Sequence, residues 1–163
     1  MRYNKIRKMD IADGPGVRVS IFMQGCMFNC KKCFNPETHD FNGGKEFSED
    51  TIDRVLELCE NENIRGLSIL GGEPMHPKNI EGTTQLAKAF KEKFPNKDLW
   101  TWTGFSFDKD LKDKEVLKYV DVLVDGQYVD ELRNPTLKYS GSTNQRVIDV
   151  QESLKENKVI LKV

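Results

Sequence analysis

β-like runs alternate with helical patterns along most of this 163-residue chain, and this alternation constrains the fold more than any other feature. Runs rich in Val, Ile and aromatic residues, separated by amphipathic segments, are typical of a mainly parallel sheet covered by helices. Strands are predicted at 17–24, 66–70, 98–103, 120–124 and 146–150, and helices at 49–62, 77–94 and 112–118. We therefore expect one α/β domain that spans residues 1–163.

Four of the predicted strands run directly into turns of unusual composition. These turns are Gly25-Cys26, Gly71-Gly72-Glu73-Pro74, Thr103-Gly104-Phe105 and Asp125-Gly126-Gln127. Because the carboxyl ends of parallel strands lie at the same edge of a sheet, the four turns are expected to meet there. The sequence therefore predicts one site built from several strands.

Three cysteines lie in the first of these turns with the spacing C-x3-C-x2-C. Cys26, Cys30 and Cys33 offer three thiolates from one short loop, and their clustering favours a metal site over disulfides in a reducing compartment. An iron–sulfur cube held by three cysteines keeps one iron open for a ligand that is not part of the protein. The spacing therefore points to chemistry at that iron.

Two other residues could complete a four-ligand site. Cys59 follows Ile52, Val55 and Leu56 at helical spacing, so we expect it to be a small buried residue of the core. His39 lies six residues beyond Cys33 and would give a Cys3His zinc set. Structural zinc sites usually present two separated ligand pairs, which disfavours this reading. A zinc-stabilised binding module stays as the alternative of a different class.

The charge balance argues against binding to polyanions. The 25 basic and 26 acidic side chains leave a net charge of -1, so the chain lacks the basic surplus typical of proteins that bind nucleic acid or anionic membranes. No apolar run long enough for a signal peptide or a membrane span is present in the sequence. We expect a cytoplasmic protein with a protein or small-molecule partner.

The Gly71-Gly72-Glu73 turn adds a second expectation. Two residues without Cβ atoms let the backbone approach a ligand closely, and Glu73 could contact an ammonium group. A ligand with an amino acid moiety, chelating the open iron through its amine and carboxylate, would fit such a surface.

Further along the chain, Trp100 and Trp102 are predicted to alternate across a strand, one toward the core and one toward solvent or a partner.

Several motifs together resemble the radical S-adenosylmethionine (radical SAM) superfamily. The cysteine motif followed at a distance by the Gly71-Gly72-Glu73-Pro74 turn is the superfamily pattern, and Asp13-Gly14-Pro15-Gly16-Val17-Arg18 is similar to the opening of its glycyl-radical activating enzymes. A closer resemblance, from Asp10 to about Val150, is to the members that activate anaerobic ribonucleoside-triphosphate reductase. It rests on Asp10-Ile11, Cys33-Phe34-Asn35, Trp102-Thr103-Gly104, the run from Asp121 to Gly126 and the run from Gly141 to Arg146.

This resemblance implies an oxidoreductase with a [4Fe-4S] cluster on Cys26, Cys30 and Cys33 and with S-adenosylmethionine on the open iron. Reductive cleavage would give a 5′-deoxyadenosyl radical, which would create a glycyl radical on the reductase large subunit. The electron donor would be a flavodoxin or ferredoxin, and no residue is nominated as an acid or base. The fold implied is a partial TIM-like βα barrel, α/β with about five to six mainly parallel strands. Activation of pyruvate formate-lyase or another glycyl-radical enzyme is the nearest alternative.

The resemblance also assigns cofactor-binding residues. Gly71, Gly72 and Glu73 would receive the methionyl amino group. The ribose and carboxylate region would be lined by Thr103, Asp125 and Asn144.

The adenosyl part would lie near Lys32, Cys33 and Phe34. Lys32 stands where the superfamily commonly has an aromatic residue. Phe34 would therefore be either an aromatic substitute or a core residue.

Overall fold

The computed structural model describes residues 1–162 and contains one mixed sheet of seven strands in the order β3-β1-β2-β4-β5-β6-β7. The strands are β1 (Arg2–Asp10), β2 (Arg18–Met23), β3 (Lys45–Glu46), β4 (Gly66–Gly71), β5 (Asp98–Trp102), β6 (Val122–Asp125) and β7 (Arg146–Asp149). β2, β4, β5 and β6 run parallel, while β1 and β7 pair antiparallel with β2 and β6. The two outer strands, β3 and β7, lie at opposite edges of the sheet.

The five strands predicted from composition all form, and two further strands were not predicted. β1 carries charged residues at many positions and is mostly half-buried or exposed, so its sequence lacks the apolar run of an inner strand. β3 is only two residues long. The strand predicted at 146–150 ends at Asp149, whose side chain accepts a hydrogen bond from the Glu152 amide at 3.2 Å and caps the next helix.

Three α-helices lie along the chain, α1 (Glu49–Cys59), α2 (Ile80–Lys93) and α3 (Val150–Glu156). α1 begins with a capping box between Ser48 and Thr51 and packs Val55 and Cys59 against the sheet, both fully buried. The prediction of Cys59 as a core residue is therefore confirmed. The helix predicted at 112–118 is instead a short π-helix at Phe107–Leu111 and a 3₁₀ helix at Glu115–Tyr119.

The other face of the sheet carries a smaller apolar cluster with polar groups beside it. Trp100 and Trp102 both belong to this cluster, with ring centroids 5.9 Å apart and Tyr139 packed on Trp100. The expectation that the two tryptophans point in opposite directions is wrong. Residues two apart in a strand share a face, because side chains alternate with a period of two.

A buried arginine on this second face holds the loop between β1 and β2. Arg18 is fully buried, forms an ion pair with Asp98 at 2.7 Å and donates to the carbonyl of Pro15 at 3.0 Å. Its Nε also donates to Ser68 Oγ, which in turn donates to the carbonyl of Asp13 at 2.6 Å. These bonds fix the loop at residues 10–17 against β4 and β5. No helix within residues 1–162 has the length and apolar character needed to cross a membrane.

Candidate metal centre and cofactor cavity

The cysteine loop begins at Gly25, where β2 ends. Gly25 has φ +105°, a conformation that favours glycine, and its amide donates to the Thr38 carbonyl. Two further turns within the loop have positive φ at Asn29 and Lys32, and the Cys33 amide donates to the Cys30 carbonyl at 3.1 Å. The loop therefore curls tightly and leaves three half-buried free thiols along one cavity wall: Cys26, Cys30 and Cys33.

The surroundings of the thiols suit an iron–sulfur cluster. Burial raises the pKa of Cys26 and of Cys33, so without a cation both thiols prefer the protonated form. Backbone amides of Phe28 and Asn29 counter this at Cys26, and the Asn35 amide donates to Cys33 Sγ at 3.4 Å. Half-buried thiols with amide donors are the donor set that thiolate-bound clusters use, and such hydrogen bonds tune their potential.

The three thiols do not form a compact single-ion site together with other acidic or histidine side chains of the described chain. Among residues 1–162, no three His, Cys, Asp or Glu side chains lie close enough together to hold one metal ion. An iron–sulfur cube needs a less compact set of ligands than a single ion does, because each cysteine binds a different iron. His39 lines the same cavity as the cysteines, with its Nε2 buried and without a hydrogen-bond partner among the described residues.

The Gly71-Gly72 turn is held against the start of the cysteine loop by backbone contact. A Cβ at Gly72 would lie 2.7 Å from the carbonyl oxygen of Met23 and 2.8 Å from that of Gly25. The next amide, of Glu73, donates to the Gly25 carbonyl at 2.8 Å, and Asn35 Nδ2 donates to the Gly71 carbonyl at 3.3 Å. Close approach of backbone to backbone is therefore one reason for these glycines, besides the approach to a ligand that the sequence suggested.

Glu73 ties this turn to the turn after β5. Its side chain is 1% exposed, with Oε2 accepting from the Met75 amide at 2.8 Å and from Thr103 Oγ1 at 2.7 Å. Its Oε1 accepts from the Gly104 amide at 2.7 Å. Burial raises the pKa of Glu73 to about 7, and the three donated hydrogen bonds oppose that rise. The Glu73 carboxyl group therefore links the turns after β4 and β5 through hydrogen bonds, and it also lines the cavity.

A cavity of about 530 Å³ lies where these turns meet, on the face of the sheet opposite the helices. This volume is within the usual range for small-molecule and cofactor sites. Its lining includes Phe22, Leu70 and Trp102 of the sheet, the three cysteines, and Gly71, Gly72 and Glu73. The long connection between β6 and β7 also lines the cavity, through residues between Gly126 and Gln145.

The structure brings together six of the nine residues predicted to bind the cofactor. The six that line the cavity are Cys33, Phe34, Gly71, Gly72, Glu73 and Thr103. Phe34 is 66% exposed and packs against Tyr128 with ring centroids 5.0 Å apart, so it is not a core residue.

The other three predicted residues do not line the cavity. Lys32 is exposed and lies 3.8 Å from Asp130 in an ion pair. Asp125 is 2% exposed and accepts two hydrogen bonds from Arg146, at 3.0 and 2.6 Å, and a third from the Phe107 amide. Asn144 donates to the Gln127 carbonyl at 2.7 Å. Each of these contacts holds a turn or a loop in place beside the cavity.

The chain matches a family described as "4Fe-4S single cluster domain" over residues 12–148. It is 37% identical over 148 residues to the anaerobic ribonucleoside-triphosphate reductase-activating protein of Vibrio cholerae, covering 89% of this chain and 96% of the relative. Proteins of the same name from Enterobacteria phage T4 and Escherichia coli K12 are 40% and 35% identical, each over 90% of this chain and over 93% and 97% of their own lengths. The chain belongs to this family of activating proteins.

Membership in the activating-protein family confirms the resemblance found in the sequence and favours an iron–sulfur cluster over the zinc alternative. Sequence reasoning missed the cavity residues of the β6–β7 connection, among them Tyr128, Arg133 and Asn134. It also missed Phe28, which packs on Phe105 with ring centroids 5.0 Å apart. The Phe28 ring packs against Gly104 and the Tyr128 ring against Gly141, so that a Cβ at either glycine would meet the ring. These contacts join distant parts of the chain and are visible only in the folded protein.

Proposed function

We propose that this protein activates an anaerobic ribonucleoside-triphosphate reductase, the target that the name of its relatives gives, and that it does so by creating a glycyl radical on the reductase. The observation that supports this most strongly is that Cys26, Cys30 and Cys33 line the same cavity as the Gly71-Gly72 turn. In this proposal the three thiolates hold a [4Fe-4S] cluster. The electron would come from a flavodoxin or ferredoxin.

A cluster held by these thiolates would supply one electron for the cleavage of S-adenosylmethionine to methionine and a 5′-deoxyadenosyl radical. Transfer of a hydrogen atom from a reductase glycine would then give 5′-deoxyadenosine and the glycyl radical. In this proposal the residues of the chain bind S-adenosylmethionine and orient it for cleavage. The Gly71-Gly72 turn, which lines the cavity, would contact the amino acid part of the cofactor through its backbone. No residue has to move a proton in this reaction, so no acid or base is assigned.

Phe34 and Tyr128 are proposed to hold the adenine ring. Both line the cavity, and their rings contact each other beside Gly141. An aromatic pair at the end of a cavity offers a flat apolar face to a purine. This assignment replaces the aromatic residue that the superfamily places where this chain has Lys32, which lies in an exposed ion pair instead.

The open sheet is proposed to leave the site accessible to a macromolecule. β3 and β7 are the two edges of the seven-stranded sheet, and the cavity lies on the face that the helices leave uncovered. We retain the partial βα barrel as the proposed description of this architecture. A protein loop could then reach the cofactor from the uncovered side.

Single cysteine variants test the proposal. Protein purified and reconstituted without oxygen should bind iron and sulfide as a [4Fe-4S] cluster and release 5′-deoxyadenosine with dithionite and S-adenosylmethionine. Cys26→Ala, Cys30→Ala and Cys33→Ala should each abolish release, whereas Cys59→Ala, a change in the core, should keep it. A colourless zinc protein, or loss of the cluster in Cys59→Ala alone, would contradict the proposed ligand set.

A further inference from the structure

The imidazole of His39 has a buried nitrogen that the rest of the described chain does not bond. Within residues 1–162, two buried side-chain nitrogen or oxygen atoms lack a hydrogen bond, His39 Nε2 and Asp98 Oδ1. Asp98 Oδ1 lies 2.7 Å from the buried Arg18 guanidinium in an ion pair, which leaves His39 Nε2. A buried polar atom without a partner destabilises a fold, because its hydrogen bond to water is lost and not replaced. The placement of this imidazole therefore needs an explanation.

The backbone around His39 is bonded to the start of the cysteine loop. Four consecutive carbonyl groups, those of residues 37–40, accept hydrogen bonds from three consecutive residues, 24–26. These bonds run from Gln24 Nε2 to Glu37 and Asp40 at 3.0 and 2.8 Å, from the Gly25 amide to Thr38 at 2.6 Å, and from the Cys26 amide to His39 at 3.2 Å. Gln24 is itself buried. His39 is therefore held beside the first of the three cysteines.

The surroundings of His39 Nε2 limit what can bond to it. The residue is half-buried and lines the same cavity as the three thiols, while Nε2 itself is shielded from bulk water. Since neither the described chain nor bulk water bonds to Nε2, its partner is a group that the cavity binds. Next to Cys26 the proposed function places an iron–sulfur cluster, whose sulfide and thiolate sulfurs accept hydrogen bonds and donate none. An imidazole with its proton on Nε2 is the matching donor.

We infer that His39 donates a hydrogen bond from Nε2 to a sulfur atom of the cluster or of its Cys26 ligand, and that this bond raises the reduction potential of the cluster. The inference rests on the proposed function, because it needs a cluster on the three cysteines. A donated hydrogen bond stabilises the reduced cluster more than the oxidised one, since the reduced cluster carries one more negative charge. In this role His39 binds no iron and sets how readily the cluster accepts its electron.

Two substitutions of His39 test the inference, with a third at His76 as the matched control. His39→Phe keeps an aromatic ring and removes the donor, whereas His39→Gln keeps an N–H donor at about the place of Nε2. His76→Phe changes the other histidine of the chain, which does not line the cavity and whose Nδ1 accepts from the Lys78 amide at 3.0 Å. The measurement is the reduction potential of the reconstituted cluster, followed by electron paramagnetic resonance in a redox titration without S-adenosylmethionine or reductase.

We expect the donor to change the redox equilibrium of the cluster. At a fixed solution potential, His39→Phe should lower the ratio of reduced to oxidised cluster about tenfold, which is a shift of about 59 mV for a one-electron couple. His39→Gln should recover most of this shift. His76→Phe should keep the ratio within twofold of the parent.

Thermal unfolding of the cluster-free proteins separates this role from a structural one. Because Nε2 has no partner in the described protein, His39→Phe should leave the Tm of the apoprotein equal to that of the parent or higher. A lower Tm would show that the imidazole supports the fold itself and would overturn the inference. An unchanged potential in His39→Phe, as a bound water or S-adenosylmethionine as the partner would give, or a shift that His39→Gln leaves fully in place, would also overturn it. Loss of the cluster from His39→Phe alone would mark His39 as an iron ligand, against the inference. A parent that binds no cluster would instead refute the proposed function.

Discussion

The contact between the Gly71-Gly72 turn and the cysteine loop can be tested by adding one methyl group. In Gly72→Ala, the new Cβ would lie 2.7 and 2.8 Å from two backbone oxygens, of Met23 and Gly25, which cannot rotate away. The turn must shift, and the 2.8 Å hydrogen bond from the Glu73 amide to the Gly25 carbonyl must stretch or break. The variant therefore tests whether the two turns are joined as the structure has them.

The expected cost follows from three contributions. Overpacking costs about 1–3 kcal/mol, and loss of the hydrogen bond costs about 0.5–1.5 kcal/mol. Replacing glycine by alanine also reduces the entropy of the unfolded chain, which returns about 0.4–1 kcal/mol. The free energy of unfolding should therefore fall by about 2 kcal/mol, which for a chain of this size lowers Tm by roughly 4–8 °C.

Gly141→Ala is the matched control, and the assay is thermal or urea unfolding of the apoprotein. At Gly141 the new Cβ would lie 2.8 Å from Cε2 of the exposed Phe34 ring and 3.0 Å from Cδ1 of Tyr128, but both are side-chain rings that can shift, unlike a backbone oxygen. We expect a loss of less than about 1 kcal/mol there, as for most surface changes. Equal stability losses in the two variants, or no loss in Gly72→Ala, would refute the account of the turn.

Two other predictions concern buried carboxyl groups. Burial raises the pKa of Glu73 from 4.5 to about 7, so the folded apoprotein binds the Glu73 proton more tightly than the unfolded chain does. This difference contributes fully to the free energy of unfolding below pH 4.5, and the contribution is lost as the pH rises to about 7. Glu73→Gln should therefore flatten part of the fall in unfolding free energy between pH 4.5 and 7, and an unchanged slope would contradict the assignment. Arg146→Met should cost about 3–5 kcal/mol because it leaves Asp125 buried without its partner. Arg65→Met, at an exposed 3.5 Å ion pair with Asp98, should cost less than about 1 kcal/mol in the same urea titration; similar losses would argue against a buried pair at Asp125.

The sequence was sufficient for the parts of the site that are local in the chain. Cys26, Cys30 and Cys33 lie within one loop, so their spacing alone predicted them as a group of ligands, and the structure places all three along the same cavity. The helical spacing around Cys59 likewise placed that thiol in the core, where it is fully buried. Gly71 and Gly72 were found because a glycine pair after a strand is visible in the sequence.

Residues whose role depends on contacts between distant segments could not be assigned in the same way. Asp125 follows a strand as a site residue would, but Arg146, 21 positions later, takes up its carboxylate. Glu73 was predicted to contact a ligand, and its hydrogen bonds to Thr103 and Gly104 depend on the pairing of β4 with β5. The cavity wall from Gly126 to Gln145 has no regular pattern in the sequence and is positioned only by the folded chain.

The central claim is that this protein activates an anaerobic ribonucleotide reductase from the cavity beside Cys26, Cys30 and Cys33. The most direct measurement is electron paramagnetic resonance of the reductase large subunit after incubation with the reduced, reconstituted protein and S-adenosylmethionine. The account predicts a glycyl-radical doublet with the parent and with Cys59→Ala, and no doublet with Cys30→Ala. A doublet with Cys30→Ala, or a doublet only when pyruvate formate-lyase replaces the reductase, would contradict it.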